Sequence, residues 1–124
     1  MTRVELLART KAFALNVVRL CSGLSRGPVF DVIERQLLRS ATSVGANYRS
    51  ACRARSRADF VAKLALVEEE GDESLYWLEL LSELPAPGRV QVAALRGEAE
   101  ELVSIFTAAR KTARRGVEVC SGQS

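Results

Sequence analysis

Apolar residues recur at steps of three and four through almost the whole chain, and nowhere do they alternate with polar ones as a half-buried strand requires. Thr2-Arg-Val-Glu5 opens the first run as a capping box, with Thr2 at the N-cap and Glu5 reaching back. Leu6, Phe13, Val17, Leu20 and Leu24 follow on one face, with Ala14 and Cys21 beside them. The stretch from Gly23 to Gly27-Pro28 ends this helix and starts a second, which carries Ile33, Leu37, Ala41, Val44, Tyr48 and Ala51 on one face. Small residues fill its middle, and Gly45 there costs about 1 kcal/mol against alanine, which close approach of a neighbouring helix would offset.

Ser56-Arg-Ala-Asp59 caps a third helix with Phe60, Leu64, Val67, Gly71, Leu75 and Leu78 on its main face. A second apolar set, Leu66, Trp77, Leu80 and Leu84, lies about 100° around the same helix, so one neighbour cannot cover both. Pro85-Ala-Pro87-Gly88 leads into a fourth helix with an unbroken seam of Val92, Leu95, Ala99, Leu102, Phe106, Ala109 and Ala113. Gly116 reads as the residue that ends it, leaving 117–124 as a flexible C-terminal tail after a bundle over 1–116. Short connections make successive helices antiparallel, so the pattern predicts an all-α, up-down-up-down four-helix bundle. Trp77, Leu80 and Leu84 form a patch that monomers rarely expose, and they are the expected interface of a symmetric homo-oligomer.

A length of 124 residues bounds the chain to one domain, and 48% hydrophobic with 27% charged residues is a globular balance. Histidine is absent, which excludes His-based triads, imidazole zinc sites and the Glu-x-x-His motif of di-metal bundles. Cys21, Cys52 and Cys120 are too far apart for a C-x-x-C motif and read as reduced structural thiols. The first residues alternate charge with apolar side chains unlike a signal peptide, and no apolar run approaches the ~18 residues of a membrane span. A cytoplasmic protein without cofactor, metal or membrane partner is expected.

The net charge of +3 hides a strong polarity. Arg35, Arg39, Arg49, Arg53, Arg55, Arg57 and Lys63 face one acid, Asp59, across 35–63, whereas 68–83 holds seven acids and no base. An ion-pair ladder would place Arg39 near Asp72 and Arg35 near Tyr76 to Glu79. Arg49, Arg53, Arg55 and Arg57, at the turn, are the better candidates for an anion. Arg110, Arg114 and Arg115, at the end of the fourth helix, could assist them. Only Tyr48 lies near this cluster and it faces the core, so backbone phosphates rather than bases are the expected ligand.

Glu69-Glu70-Gly-Asp-Glu73 with Glu98-Ala-Glu-Glu101 loosely matches the carboxylates of magnesium-dependent all-α nucleotide pyrophosphohydrolases, but the spacing is common on solvated or salt-bridged helices. Ser40, Thr42 and Ser43 lack a base and read as packing residues, and Asn47 reads as a buried residue that fixes helix register. No enzyme is expected.

The stretch Arg35-Gln-Leu-Leu-Arg-Ser-Ala-Thr-Ser-Val-Gly-Ala-Asn-Tyr-Arg-Ser50, continuing through Ala51-Cys-Arg-Ala-Arg-Ser-Arg-Ala-Asp-Phe60, Lys63-Leu64 and Tyr76-Trp77-Leu78-Glu79-Leu80-Leu81, resembles the small bacterial "four helix bundle protein" family over roughly residues 9–110. That family includes proteins encoded by intervening sequences of large-subunit ribosomal RNA genes. The resemblance implies a four-helix bundle that assembles as a homopentamer. A more distant group with this architecture is accessory to a retroelement reverse transcriptase and binds nucleic acid, which implies RNA, DNA or a nucleic-acid enzyme as partner. The expected function is a non-enzymatic oligomeric scaffold that binds RNA or DNA backbone. The alternatives are a structural or protein-interaction module and the magnesium-dependent pyrophosphohydrolase.

Overall fold

Thr2 Oγ1 accepts a hydrogen bond from the Glu5 N–H at 3.1 Å and caps α1 (Arg3–Ser22). Gly27 stands just before α2 (Pro28–Ala51) with φ of 135°, a conformation that favours glycine, and Pro28 takes the first helical position, where its missing N–H costs nothing. Ser56 caps α3 (Arg57–Glu83) by accepting from the Asp59 N–H at 3.0 Å. The fourth helix, α4, spans Arg89–Gln123. This computed structural model describes residues 1–24 and 26–123, with side chains through Gly116; among these residues every regular element is helical.

Each helix packs against the next, and α4 returns to α1 more loosely than any other neighbouring pair. The core follows the expected seams on α2 and α4: all six predicted α2 residues are buried, as are all of the α4 set except Ala109, which packs partly against them. On α3 the stripe is shifted from the expected one. Leu64, Val67, Gly71, Ser74, Leu78 and Leu81 are buried, while Phe60 and Leu75 are only partly so. The reason is that α3 packs against both α2 and α4, and a stripe repeating at 3.5 residues keeps one seam between them.

Polar residues complete the core. Ser40 and Ser74 meet across α2 and α3 at 3.0 Å between hydroxyl oxygens; Ser40 donates to the Leu37 carbonyl, and the single Ser74 proton lies between Ser40 Oγ and the Glu70 carbonyl. This buried pair fixes the register expected of Asn47, which is only half-buried. Thr10 is buried on α1 and donates to the Leu6 carbonyl at 2.8 Å. Cys21 is buried, and burial, with the charge of Glu34, pushes its thiol up to about 12.

The helix continues through Gly116, which therefore does not end it. The side chains of the expected tail, 117–124, lie outside the described residues, as does that of Cys120.

Two glycines sit in the seams between neighbouring helices. A Cβ on Gly45 would lie 3.4–3.6 Å from Thr10, ordinary contact, whereas one on Gly71 would lie 3.2 Å from Val103 Cγ2. Gly45→Ala is therefore expected to hold or gain stability, by up to about 1 kcal/mol of helix propensity. Gly71→Leu is expected to lose about 1–3 kcal/mol by overpacking the α3–α4 seam. Thermal unfolding followed by circular dichroism would rank the two.

Candidate nucleic-acid interface

The arginines of the turn between α2 and α3 find no carboxylate partner there because the one nearby acid, Asp59, is engaged at the start of α3. The Asp59 carboxylate accepts from the Arg55 backbone N–H at 3.2 Å and pairs with Lys63 at 3.3 Å, and these partners hold it below its ordinary range. The guanidinium groups of Arg49, Arg53, Arg55 and Arg57 are left exposed. None of the four is paired to a carboxylate among the described residues. Arg49 and Arg53 sit at the C-terminal end of α2, where unsatisfied carbonyls favour cations.

Arg57 ties this turn to the end of α4. Its side chain lies across Gly116: a Cβ there would come 2.6 Å from Arg57 Nη1 and 3.2 Å from its Cδ. Gly116 is thus the space in which Arg57 rests. Arg114 and Arg115 are exposed on the neighbouring turn, together with Lys111, which the sequence reading leaves out. Residues 49–57 and 110–115 together hold eight bases and no acid, all at the end where α2 and α4 finish and α3 begins.

Arg110 departs from the expectation. It reaches across to α3, where its Nε pairs with Glu68 and its Nη2 reaches the other carboxylate oxygen at 3.5 Å; Thr107 donates to the same carboxylate at 2.9 Å. Arg110 is one-fifth exposed and serves as a cross-brace of α3 and α4. Of the expected ladder between α2 and α3, Arg39 is realised, with Glu70 at 3.3 Å and with Glu73, a little to either side of Asp72; Arg35 makes no ion pair among the described residues. Tyr48 packs under the arginine turn against Phe106, ring centroids 5.1 Å apart, so it offers no face to a base.

The two acidic clusters do not converge. Glu70 and Glu73 turn to Arg39 on α2, while Glu98 and Glu101 turn to Arg9 on α1, at opposite edges of the molecule. Among the described residues no three carboxylates or thiols are grouped to hold a metal ion.

These cross-braces carry a pH dependence. Arg110 and Thr107 hold the Glu68 carboxyl below its ordinary pKa, and Arg39 and Trp77 do the same for Glu73. A carboxylate more acidic in the folded state stabilises the fold above its unfolded value, near 4, and that contribution disappears as pH falls through the lowered folded values. Acid unfolding below about pH 4 is the expected outcome. In Glu68→Gln the loss over this window is expected to be shallower, as circular dichroism across a pH series would measure.

Trp77, Leu80 and Leu84, the expected interface, are half-exposed rather than free. Trp77 and Leu84 lean partly on the core, and the Trp77 indole N–H reaches Glu73 at 3.5 Å. Leu66 at 48% and Tyr76 at 53% are more open to solvent on the same helix.

A family model described as 23S rRNA-intervening sequence protein matches residues 2–108. The crystal structure of a protein of unknown function from the S23 ribosomal protein family of Bacteroides thetaiotaomicron is similar to this chain at 33% identity and a TM-score of 0.74, over 85% of this chain and 97% of that one. No curated protein matches.

Proposed function

The chain belongs to the 23S rRNA-intervening sequence protein family, and from that premise we propose a non-enzymatic cytoplasmic scaffold that binds RNA or DNA backbone through its arginine-rich end. The observation that carries this reading is the state of Arg49, Arg53, Arg55 and Arg57: exposed, close together, and unpaired among the described residues while the local acid is held by the Arg55 N–H and Lys63. Guanidinium groups in that state bind phosphate strongly, and with Tyr48 buried beneath them the contact is to backbone or shape. Arg115 and Lys111 extend the same surface, whereas Arg110 does not, being committed to Glu68.

The helices run up-down-up-down in this reading: along α4, Val103, Thr107 and Gly116 meet Gly71, Glu68 and Arg57 of α3 in descending order. Copies assemble into a symmetric ring, five by family resemblance, through the edge that carries Trp77, Leu80 and Leu84. A ring repeats a modest phosphate site several times, and avidity then makes weak contacts effective. Purification at low salt tests the function: the particle is expected to carry nucleic acid, read as an absorbance ratio that falls on nuclease treatment. A particle that retains none and binds no added RNA or DNA at 50 mM salt would point instead to a protein partner.

A further inference from the structure

Of the apolar surfaces that the chain leaves open, two lie on opposite edges of the bundle. One is the outer edge of α2 and α3 at the end away from the arginines, where Val29 and Val32, 60% and 53% exposed, accompany half-exposed Trp77, Leu80 and Leu84. The other is a groove of about 700 Å³ between α1 and α4, floored by Phe13, Leu20 and Leu95 and walled by small residues such as Ala12 and Ala94. It exists because α1 closes on α4 loosely.

We propose that the α2–α3 edge of one copy docks into the α1–α4 groove of the next copy, head to tail. This deepens the self-association proposed above and rests on it.

Three observations select a second copy as the occupant. The first is height. Thr10 meets Gly45 and Ser40 meets Ser74, so residues 12–23 of α1 and 77–84 of α3 lie near the same end of the bundle, along with 29–32 of α2 and 87–98 of α4. Edge and groove therefore face each other with little shift along the bundle axis. The second is charge. Helix α1 holds four bases against one acid, and α3 holds eight acids against two bases. Arg19, on the rim of the groove, bonds to Asn16 at 2.9 Å and makes no ion pair among the described residues, and by the same register it stands within a turn of the height of Glu79. Glu98 also lines the groove but is paired with Arg9, which leaves Arg19 as the charge without a carboxylate there; Glu79 and Glu83, beside the apolar edge, make no ion pair among the described residues, so edge and rim complement each other. The third is difference. Because edge and groove are unlike, every docked copy still offers one of each, and the succession closes into a ring where the rotation from one copy to the next divides a full turn.

Mixing two defective variants tests this. Ala94→Glu places a charge in the groove wall at an exposed helical position, and Trp77→Glu places one on the edge. Light scattering after size exclusion is expected to give several chain masses for the wild type and one chain mass for each variant alone. The equimolar mixture is expected to give two, because each variant retains the surface that the other has lost. An edge that pairs with itself would leave Ala94→Glu assembled like the wild type and the mixture unrestored, and either result overturns the pairing while self-association stands. A wild type that elutes as a single chain overturns self-association itself. Circular dichroism equal to that of the wild type certifies each variant as folded, and half-exposed Leu80→Glu replaces Trp77→Glu if the latter fails that check.

Discussion

Reversing Arg53 and Arg57 to glutamate is expected to abolish binding of RNA or DNA while the particle keeps its size. Both side chains are exposed and neither is paired to a carboxylate among the described residues, so the exchange breaks no ion pair of the bundle. Arg53 leaves the end of α2, and Arg57 lies over Gly116 of α4, so the double variant reverses the centre of the basic surface. Salt dependence gives the measurement its scale. Each phosphate neutralised contributes a slope of about −0.7 to −0.9 in log affinity against log salt, so four arginines predict a loss of roughly 50- to 150-fold between 50 and 200 mM. The double variant is expected to lose this slope along with its affinity. Arg110→Gln behaves differently: it unpins Glu68 and lowers the unfolding midpoint, with little change in salt slope. Binding that survives in the double variant, or a wild-type affinity indifferent to salt, would remove phosphate recognition from the account.

How far the sequence discloses this architecture depends on what each residue's fate rests upon. Thr2 and Ser56 cap their helices because a cap is local, one side-chain oxygen and one N–H three residues on, although Glu5 makes no return bond to Thr2 among the described residues. The seams of α2 and α4 are legible for a similar reason, since each helix has one strongly apolar face. Buried Thr10 and Ser74 are not legible, because periodicity identifies an inward position only when an apolar residue occupies it. Each hydroxyl donates to a carbonyl of its own helix, so burial leaves no polar atom unsatisfied. Arg110 shows a second limit. From the sequence it is one cation among four near a helix end; whether it meets solvent or Glu68 depends on how α4 is rotated against α3, which no local pattern encodes. Gly116 shows a third, since a glycine that makes room for a side chain of another helix looks the same in sequence as a glycine that ends its own. The site is legible as a composition, an arginine-rich turn with one acid, and the structure then decides which arginines are spent within the bundle.

Phe106→Ala is expected to be the most damaging of the single core substitutions considered, lowering stability by about 3–5 kcal/mol. Phe106 is 1% exposed, and its ring meets Tyr48 at 5.1 Å and a tilt of 54°. An alanine there loses the apolar burial, opens a cavity in the core, and forfeits an aromatic pair worth about 0.5–1.5 kcal/mol. Against a total of about 5–15 kcal/mol for a domain, that loss takes up much of the margin. The location matters for function as well. Tyr48 stands directly before Arg49, and its burial, with Cys52 nearby, pushes its phenol up to about 12, keeping the hydroxyl neutral under the arginine turn. Loosening Phe106 therefore loosens the end of α2 that carries Arg49 and Arg53. Phe106→Leu, which keeps most of the volume, is expected to cost under about 1.5 kcal/mol and to retain binding. Urea unfolding followed by circular dichroism, with affinity for a short RNA duplex measured on the same samples, separates the two effects. Phe106→Ala unfolding at the wild-type midpoint would mean that the aromatic pair does not anchor the arginine end.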